Sequence, residues 1–346
     1  MTQQWDKTVF DTKEWLEAWS RATIEKVTAL DADANMYAVE WSPFWAGYEA
    51  DAGLEPVWDR PVLTIGSMYS FYGPSYLLNE PGAVNEAMER ATAHGKEWGT
   101  AGVLVANLPE AAALAWAELH PPDASIRLDV EYHRQVSEGA DPVMGDVSKR
   151  VRGDWRRRWR RATEQGLHLV EEAQPEAARI DEVLALANES AVRHDWPPVY
   201  DRTSAEEVLR IPGSRLLRAD FDGETAAGFV VLEHDRRAYL WAGGTHPELL
   251  REVSPYLFIL YELLATAEER GLERIEFGRG NDQFKRKYGF DGTELWSLWY
   301  ASKPDEVQVY APRIAELHEG CARMMDLPAR GLGEPAREPE LTGASR

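Results

Sequence analysis

Cysteine is nearly absent from this chain of 346 residues; Cys321 is the only one. A single thiol excludes an internal disulfide and a cysteine-rich metal site. The histidines, His133 and His234 among them, show no ligand spacing either, so no metal is expected. Long apolar runs are missing too. No window approaches the roughly 18 apolar residues of a membrane span. The opening Met1-Thr2-Gln3-Gln4-Trp5-Asp6-Lys7 has neither the basic start nor the apolar stretch of a signal peptide. The expectation is a cytoplasmic protein with no membrane partner. Positive charge is in deficit: 38 Lys and Arg stand against 59 Asp and Glu, for a net charge of −21. That balance disfavours general affinity for nucleic acid or an anionic bilayer.

What is present points to a folded enzyme-sized protein. Apolar residues make up 44% and charged residues 28%, with 14 Trp, as in globular proteins. The length suggests two domains of about 150 residues each. Charge is unevenly spread. From Lys149 to Arg161 there are eight Lys or Arg and one Asp, a local +7, so the rest of the chain carries −28.

Apolar periodicity predicts a helix over residues 12–23 with Trp15, Leu16 and Trp19 at helical spacing. Strands follow at 36–41 and 61–65, then a helix at 83–98, a strand at 101–106, a helix at 109–119 and a strand at 126–132. A Pro/Gly turn at 141–145 opens the basic segment. There Val151, Trp155, Trp159 and Ala162 form one stripe of a helix over 146–165, ended by Gly166. The second half reads as a strand (167–172), helices (175–194, 204–209) and strands (214–221, 225–233, 237–242). A helix (254–270), strand (274–278), helix (282–288), strand (294–302) and helix (305–324) complete it. Asp222-Gly223 is a strong hairpin signal. After Asp326 a Pro/Gly/Glu/Arg-rich stretch shows no periodicity and reads as a mobile tail over 327–346. The fold class is mixed α/β.

The most informative run extends from Glu276 to Phe290: Glu276-Phe277-Gly278-Arg279-Gly280-Asn281-Asp282-Gln283-Phe284-Lys285-Arg286-Lys287-Tyr288-Gly289-Phe290. It reads as a strand end, a glycine turn and a short helix, placing the cation Lys285 where sites in α/β folds tend to lie. Gly278 and Gly280 would let backbone approach a ligand closely.

This run, the element order, Ser148-Lys149-Arg150 with Arg157-Arg158 before a Gly-ended helix, and Ser254-Pro255 opening a helix together resemble the GNAT acyltransferase fold, in its Fem/CelD-type branch. The match is good over 147–302 and loose in the first half, through Phe10 to Trp15 and Tyr69 to Tyr76. The resemblance implies two GNAT-like domains in tandem, each a twisted mixed, largely antiparallel sheet flanked by helices. They would be a degenerate domain over 1–145 and a second over 146–326 that opens with the basic helix. It implies transfer of an acyl or aminoacyl group to an amine of a small molecule or peptide, with acyl-CoA or aminoacyl-tRNA as donor, no bound cofactor and a site in a cleft between the domains. Tandem domains would imitate a dimer of single-domain relatives, so a monomer is preferred.

By the same resemblance Phe284 lines the donor channel and Lys285, standing where ordinary GNAT enzymes often have Tyr, steadies developing negative charge. The bland reading of Lys285 is a solvated helix lysine. Asp282 is a catalytic candidate or the N-cap of its helix. Glu276 is a base toward the incoming amine or half of a structural pair beside Arg279. Donor phosphates would meet Arg279, Gly278, Gly280 and the helix end at Ser254, with Arg251 nearby. The stretch Glu248 to Tyr256 lacks the glycines of a CoA-binding loop. Arg152 and Arg156, with Lys149 and Arg160, either grip phosphates of tRNA or a nucleotide-linked acceptor, or are simply solvated. Tyr69, Tyr72, His194 and Trp196 line an acceptor groove or are ordinary packing. Three readings stand: a CoA-dependent N-acyltransferase, an aminoacyl-tRNA-dependent ligase, and a catalytically silent GNAT-fold binding module.

Overall fold

The computed structural model describes residues 4–136 and 147–335. The turn expected at 141–145, the expected boundary at 145/146 and the end of the chain lie outside these. The elements of the first half are α1 (Lys13–Trp19), β1 (Lys26–Asp31), β2 (Met36–Trp41), α2 (Pro43–Ala52), β3 (Val62–Ile65), α3 (Pro81–Trp98), β4 (Gly102–Pro109), α4 (Glu110–Leu119) and β5 (Ala124–Gln135). The second half has α5 (Lys149–Glu164), β6 (His168–Glu172), α6 (Ala177–Val192), α7 (Arg202–Leu209), β7 (Ser214–Phe221), β8 (Glu224–His234), β9 (Arg237–Thr245), α8 (Pro255–Thr266), β10 (Arg274–Glu276), α9 (Asp282–Lys287), β11 (Asp291–Ala301) and α10 (Pro304–Met324).

The strands form one mixed, mostly antiparallel sheet of eleven, in the order β1-β2-β3-β4-β11-β5-β10-β9-β8-β7-β6, flanked by helices. Two neighbours run parallel, β3 with β4 and β9 with β10. Parallel neighbours need a crossover, and α3 and α8 supply one each, so one motif occurs in both halves. The halves also interlock: β5 lies between β10 and β11, while β11 lies between β4 and β5.

The two parallel pairs differ where their strands part. β9 and β10 pair only from Arg237/Arg274 to Tyr239/Glu276. Beyond that, β9 runs on to Thr245 while the chain after β10 swings away through Gly278 (φ 77°) and Gly280 (φ 69°), values that glycine adopts without strain. This divergence opens a cleft. Between β3 and β4 the chain fills its own gap. The Asn107 side-chain amide donates to the carbonyls of Ser67 (3.1 Å) and Ser70 (2.8 Å). A Cβ on Gly73 would stand 2.0 Å from the Ala106 oxygen, so only glycine lets that loop close down.

Two elements were not anticipated. β1 sits at the sheet edge with an exposed, non-alternating pattern, which removes the periodicity cue. α2 has Pro43 at its start and Gly53 (φ 70°) at its end, but Phe44, Trp45 and Tyr48 spread around it and leave no amphipathic stripe. Residues 327–335, expected to begin a mobile tail, are instead fastened to the fold. Arg330 is buried, paired with Glu110 and with Glu294 (2.5 Å), and its guanidinium lies 5.3 Å from the Trp296 ring. Ion pairs fasten this segment, and hydrophobic periodicity cannot reveal them.

Candidate functional site

The cleft between β9 and β10 has a volume of about 690 Å³ and is walled by both halves of the chain. Phe44, Met68, Tyr69 and Phe71 come from the first half; Tyr200, Trp241, Phe277, Arg279 and Lys285 come from the second. The aromatic wall is a contact chain: Phe44 to Tyr69 (4.7 Å between rings), Tyr69 to Tyr200 (6.0 Å) and Tyr200 to Trp241 (5.3 Å). Hydrogen bonds lock it, from Tyr69 OH to the Val199 carbonyl (2.7 Å) and from Trp241 Nε1 to the Tyr69 carbonyl (3.1 Å).

Lys285 is 2% exposed, although Arg286 and Lys287 beside it point to solvent. Its Nζ donates to the carbonyls of Gly278 (2.7 Å) and Arg279 (3.0 Å) and lies 5.3 Å from the Tyr132 ring. An ammonium has three donors; these carbonyls take two, and Lys285 forms part of the cleft wall. Burial lowers its pKa to about 8, against the pull of Glu131, Asp129 and Asp282.

Arg279 reaches across to the first half. Its Nη2 donates to the Ser70 carbonyl (2.7 Å), and its Nη1 to the Met68 carbonyl and Tyr48 OH (both 3.3 Å). Tyr48 OH in turn donates to Asp129 (2.9 Å), whose pKa burial raises to about 6. Two residues along β5, Glu131 is fully buried and neither carboxyl oxygen has a hydrogen-bond partner among the described residues. Burial first, then neighbouring Glu276, pushes its pKa well above the usual carboxylate range.

The N-terminus of α8 meets the cleft at Tyr256. Its first-turn N–H groups have no carbonyl within the helix to meet. Ser254 precedes it in the left-handed region (φ 48°), its hydroxyl donating to the Leu250 carbonyl and accepting from Arg158 (3.4 Å). Arg158 also borders a second hollow of about 620 Å³, between α5 and α9, lined by Arg150, Arg157, Lys287 and Asp154.

Among the residues singled out from sequence, the cleft gathers Lys285, Gly278, Arg279, Gly280, Tyr69 and His194. It does not gather the others. Glu276 is fully buried and pairs with Arg274 (2.5 Å) and Tyr72 OH (2.8 Å), so its ion-pair partner is Arg274 rather than Arg279. Asp282 accepts from Tyr132 OH (2.7 Å), and Asn281 holds the N-cap position. Phe284 packs on Tyr256 (5.3 Å) and Tyr288 (4.6 Å). Arg251 is exposed, and Arg152 and Arg156 lie on α5 outside the cleft wall, where Trp155 anchors that helix to α8 through the Leu257 carbonyl (3.1 Å). Trp196 stacks over Gly47 and donates to Asp51 (2.7 Å). Phe44, Tyr200, Trp241 and Glu131 were missed. A signal existed for two of them: Trp241 precedes Gly243-Gly244 at a strand end, and Glu131 alternates with Asp129 and Arg127 inside a strand that reads as buried.

Residues 149–286 match the family model described as an acetyltransferase (GNAT) domain, and the chain has a Fem-like GNAT fold. FemX shares 11% identity, covering 70% of this chain and 80% of its own, with a TM-score of 0.50. The C-terminal domain of a putative lysylphosphatidylglycerol synthetase from Agrobacterium fabrum shares 12%, covering 86% and 90%, with a TM-score of 0.51. A conserved protein of unknown function from Bacteroides thetaiotaomicron shares 11%, covering 84% and 90%, at 0.50. At such identities the likeness is one of fold. No curated protein sequence matches the chain.

Proposed function

We propose that the chain is an acyltransferase that forms an amide bond, moving an acyl or aminoacyl group onto an amine of a small molecule or peptide. The observation that carries this reading is the buried ammonium of Lys285, held by two carbonyls in the wall of the cleft. The amine nitrogen attacks the donor carbonyl carbon, the C–N bond forms, and the carbonyl oxygen takes on negative charge. Lys285 donates to that oxygen. Collapse breaks the C–S or C–O bond, and the leaving group takes up a proton. The amine gives its proton to water, a carboxylate or the substrate itself. A preorganised donor of this kind contributes about 10²–10³ in rate. The α8 N-terminus at Tyr256 would carry donor phosphates.

Acyl-CoA is the donor that the GNAT domain suggests. The basic hollow favours a second reading. Arg158 joins it to Ser254 at the α8 end, so a longer anionic donor such as aminoacyl-tRNA could run from the cleft onto Arg150, Arg157 and Lys287. Calorimetry with acetyl-CoA against charged tRNA separates the two. Micromolar CoA binding without tRNA binding removes the second reading, and the reverse removes the first. Turnover unchanged in Lys285→Ala would sink the role given to Lys285, and binding without turnover from any donor would leave a silent binding module.

A further inference from the structure

The charge inventory of the cleft runs against that of the protein. On a chain of net charge −21, the cleft wall contains, among the described residues, Lys285, Arg279, Arg193 and His194 and no Asp or Glu. The acids lie behind the wall and act on Lys285 and Arg279 from there. Asp129 accepts from Tyr48 OH, Asp282 accepts from Tyr132 OH, and Glu131 is sealed from the cleft. At the rim, Arg193 pairs with Glu189 (3.1 Å) in the open, so it adds less charge to the cleft than Lys285 and Arg279 do. Arg279 uses three of its five N–H groups on Tyr48, Met68 and Ser70. Most of the rest of the wall is aromatic or aliphatic, Phe44, Phe71, Trp241 and Leu240 among it, and its polar members Ser190, Thr245 and Asn281 are uncharged.

A substrate ammonium would find no carboxylate among the described residues of the wall and would meet two buried cations first, which oppose its entry and favour its loss of a proton. A carboxylate would find donors. We propose that the acceptor of this cleft is an aromatic or aliphatic molecule that carries a carboxylate and presents its amine uncharged, and is not a polyamine or other cationic amine. The word acceptor rests on the acyl-transfer reading above; the charge selectivity stands on the cleft itself.

The test uses two probes of one shape and opposite charge, 3-phenylpropionate and 3-phenylpropylamine, titrated calorimetrically into the full chain at pH 7. The acid should bind at least about tenfold more tightly than the amine. Arg193→Glu, an exposed substitution with no bearing on folding, should narrow that ratio several-fold, and so should Lys285→Met. An amine that binds as well as the acid overturns the proposal. So does failure of both probes to bind, or a ratio unmoved by both substitutions. Binding of the acid with no turnover from any donor would remove the transfer reaction and leave the anion selectivity supported.

Discussion

Replacing Lys285 with Met should separate catalysis from stability. Burial lowers the lysine pKa from 10.5 to about 8, so the charged form costs on the order of 3 kcal/mol in the fold at pH 7. Met removes that cost. It also strips the Arg279 carbonyl of its Lys285 donor, at about 1–3 kcal/mol, while the Gly278 carbonyl keeps the Tyr132 N–H (3.2 Å). The two effects are of similar size, so urea unfolding at pH 7 should shift by no more than about 2 kcal/mol. Turnover should fall by about 10²–10³, the loss of one donor to the oxyanion. The pH dependence fixes the sign. Between about 8 and 10.5 the unfolded lysine holds a proton that the folded one has released, so wild-type stability should rise across that window relative to Lys285→Met. Catalysis should run the other way, falling as pH rises through about 8, because the ammonium is the active form. Turnover that survives in Lys285→Met would refute this account, as would activity that climbs through pH 8.

Four further outcomes follow from the packing. Glu131 is buried, neither oxygen has a hydrogen-bond partner among the described residues and its pKa is raised, so the folded state holds a proton that the unfolded state gives up above about 4.5. Glu131→Gln should therefore be neutral near pH 4 and stabilising at pH 8, and a variant less stable at pH 8 would contradict this. Gly47→Ala would drive a Cβ to 2.2 Å from the Trp196 ring, costing about 1–3 kcal/mol in a thermal melt; an unchanged melt would show that Trp196 yields freely. Arg330→Ala removes the ion-pair partner of Glu110 and leaves Glu294 with Arg127 (3.3 Å), and should cost about 1–2 kcal/mol after allowance for partial exposure and open residues 327–335 to protease. The interlocked sheet should unfold in one equilibrium transition; two separated transitions would mean that the halves are energetically independent.

Much of the fold was legible along the chain. The order of elements in the second half follows apolar periodicity and turn chemistry, and the glycine turn before Lys285 announced a backbone that must bend sharply. What was not legible is non-local. Nothing in the periodicity of residues 124–135 indicates that strands from residues 274–276 and 291–301 flank them. The site shows the same limit. In a sheet covered on both faces, alternation cannot say which face meets a ligand. Glu276 on β10 therefore looked like a candidate base, yet it is sealed against Arg274 and Tyr72, while Lys285 on α9 reaches the cleft wall. The aromatic wall depends on four segments meeting, and each alone resembles ordinary core.

The interleaving of β5 and β11 has a consequence for timing. A ribosome that has finished β5 at Gln135 must still make the chain through Ala301 before both neighbours of that strand exist. At about 5–20 residues per second this is a wait of roughly 8–33 s. Throughout it, a central strand of the finished sheet is an unpaired edge. Such edges recruit other strands unless charge repels them. Arg127, Asp129 and Glu131, which sit at an energetic cost inside the finished sheet, are solvated at that stage and make the waiting strand a poor template for aggregation.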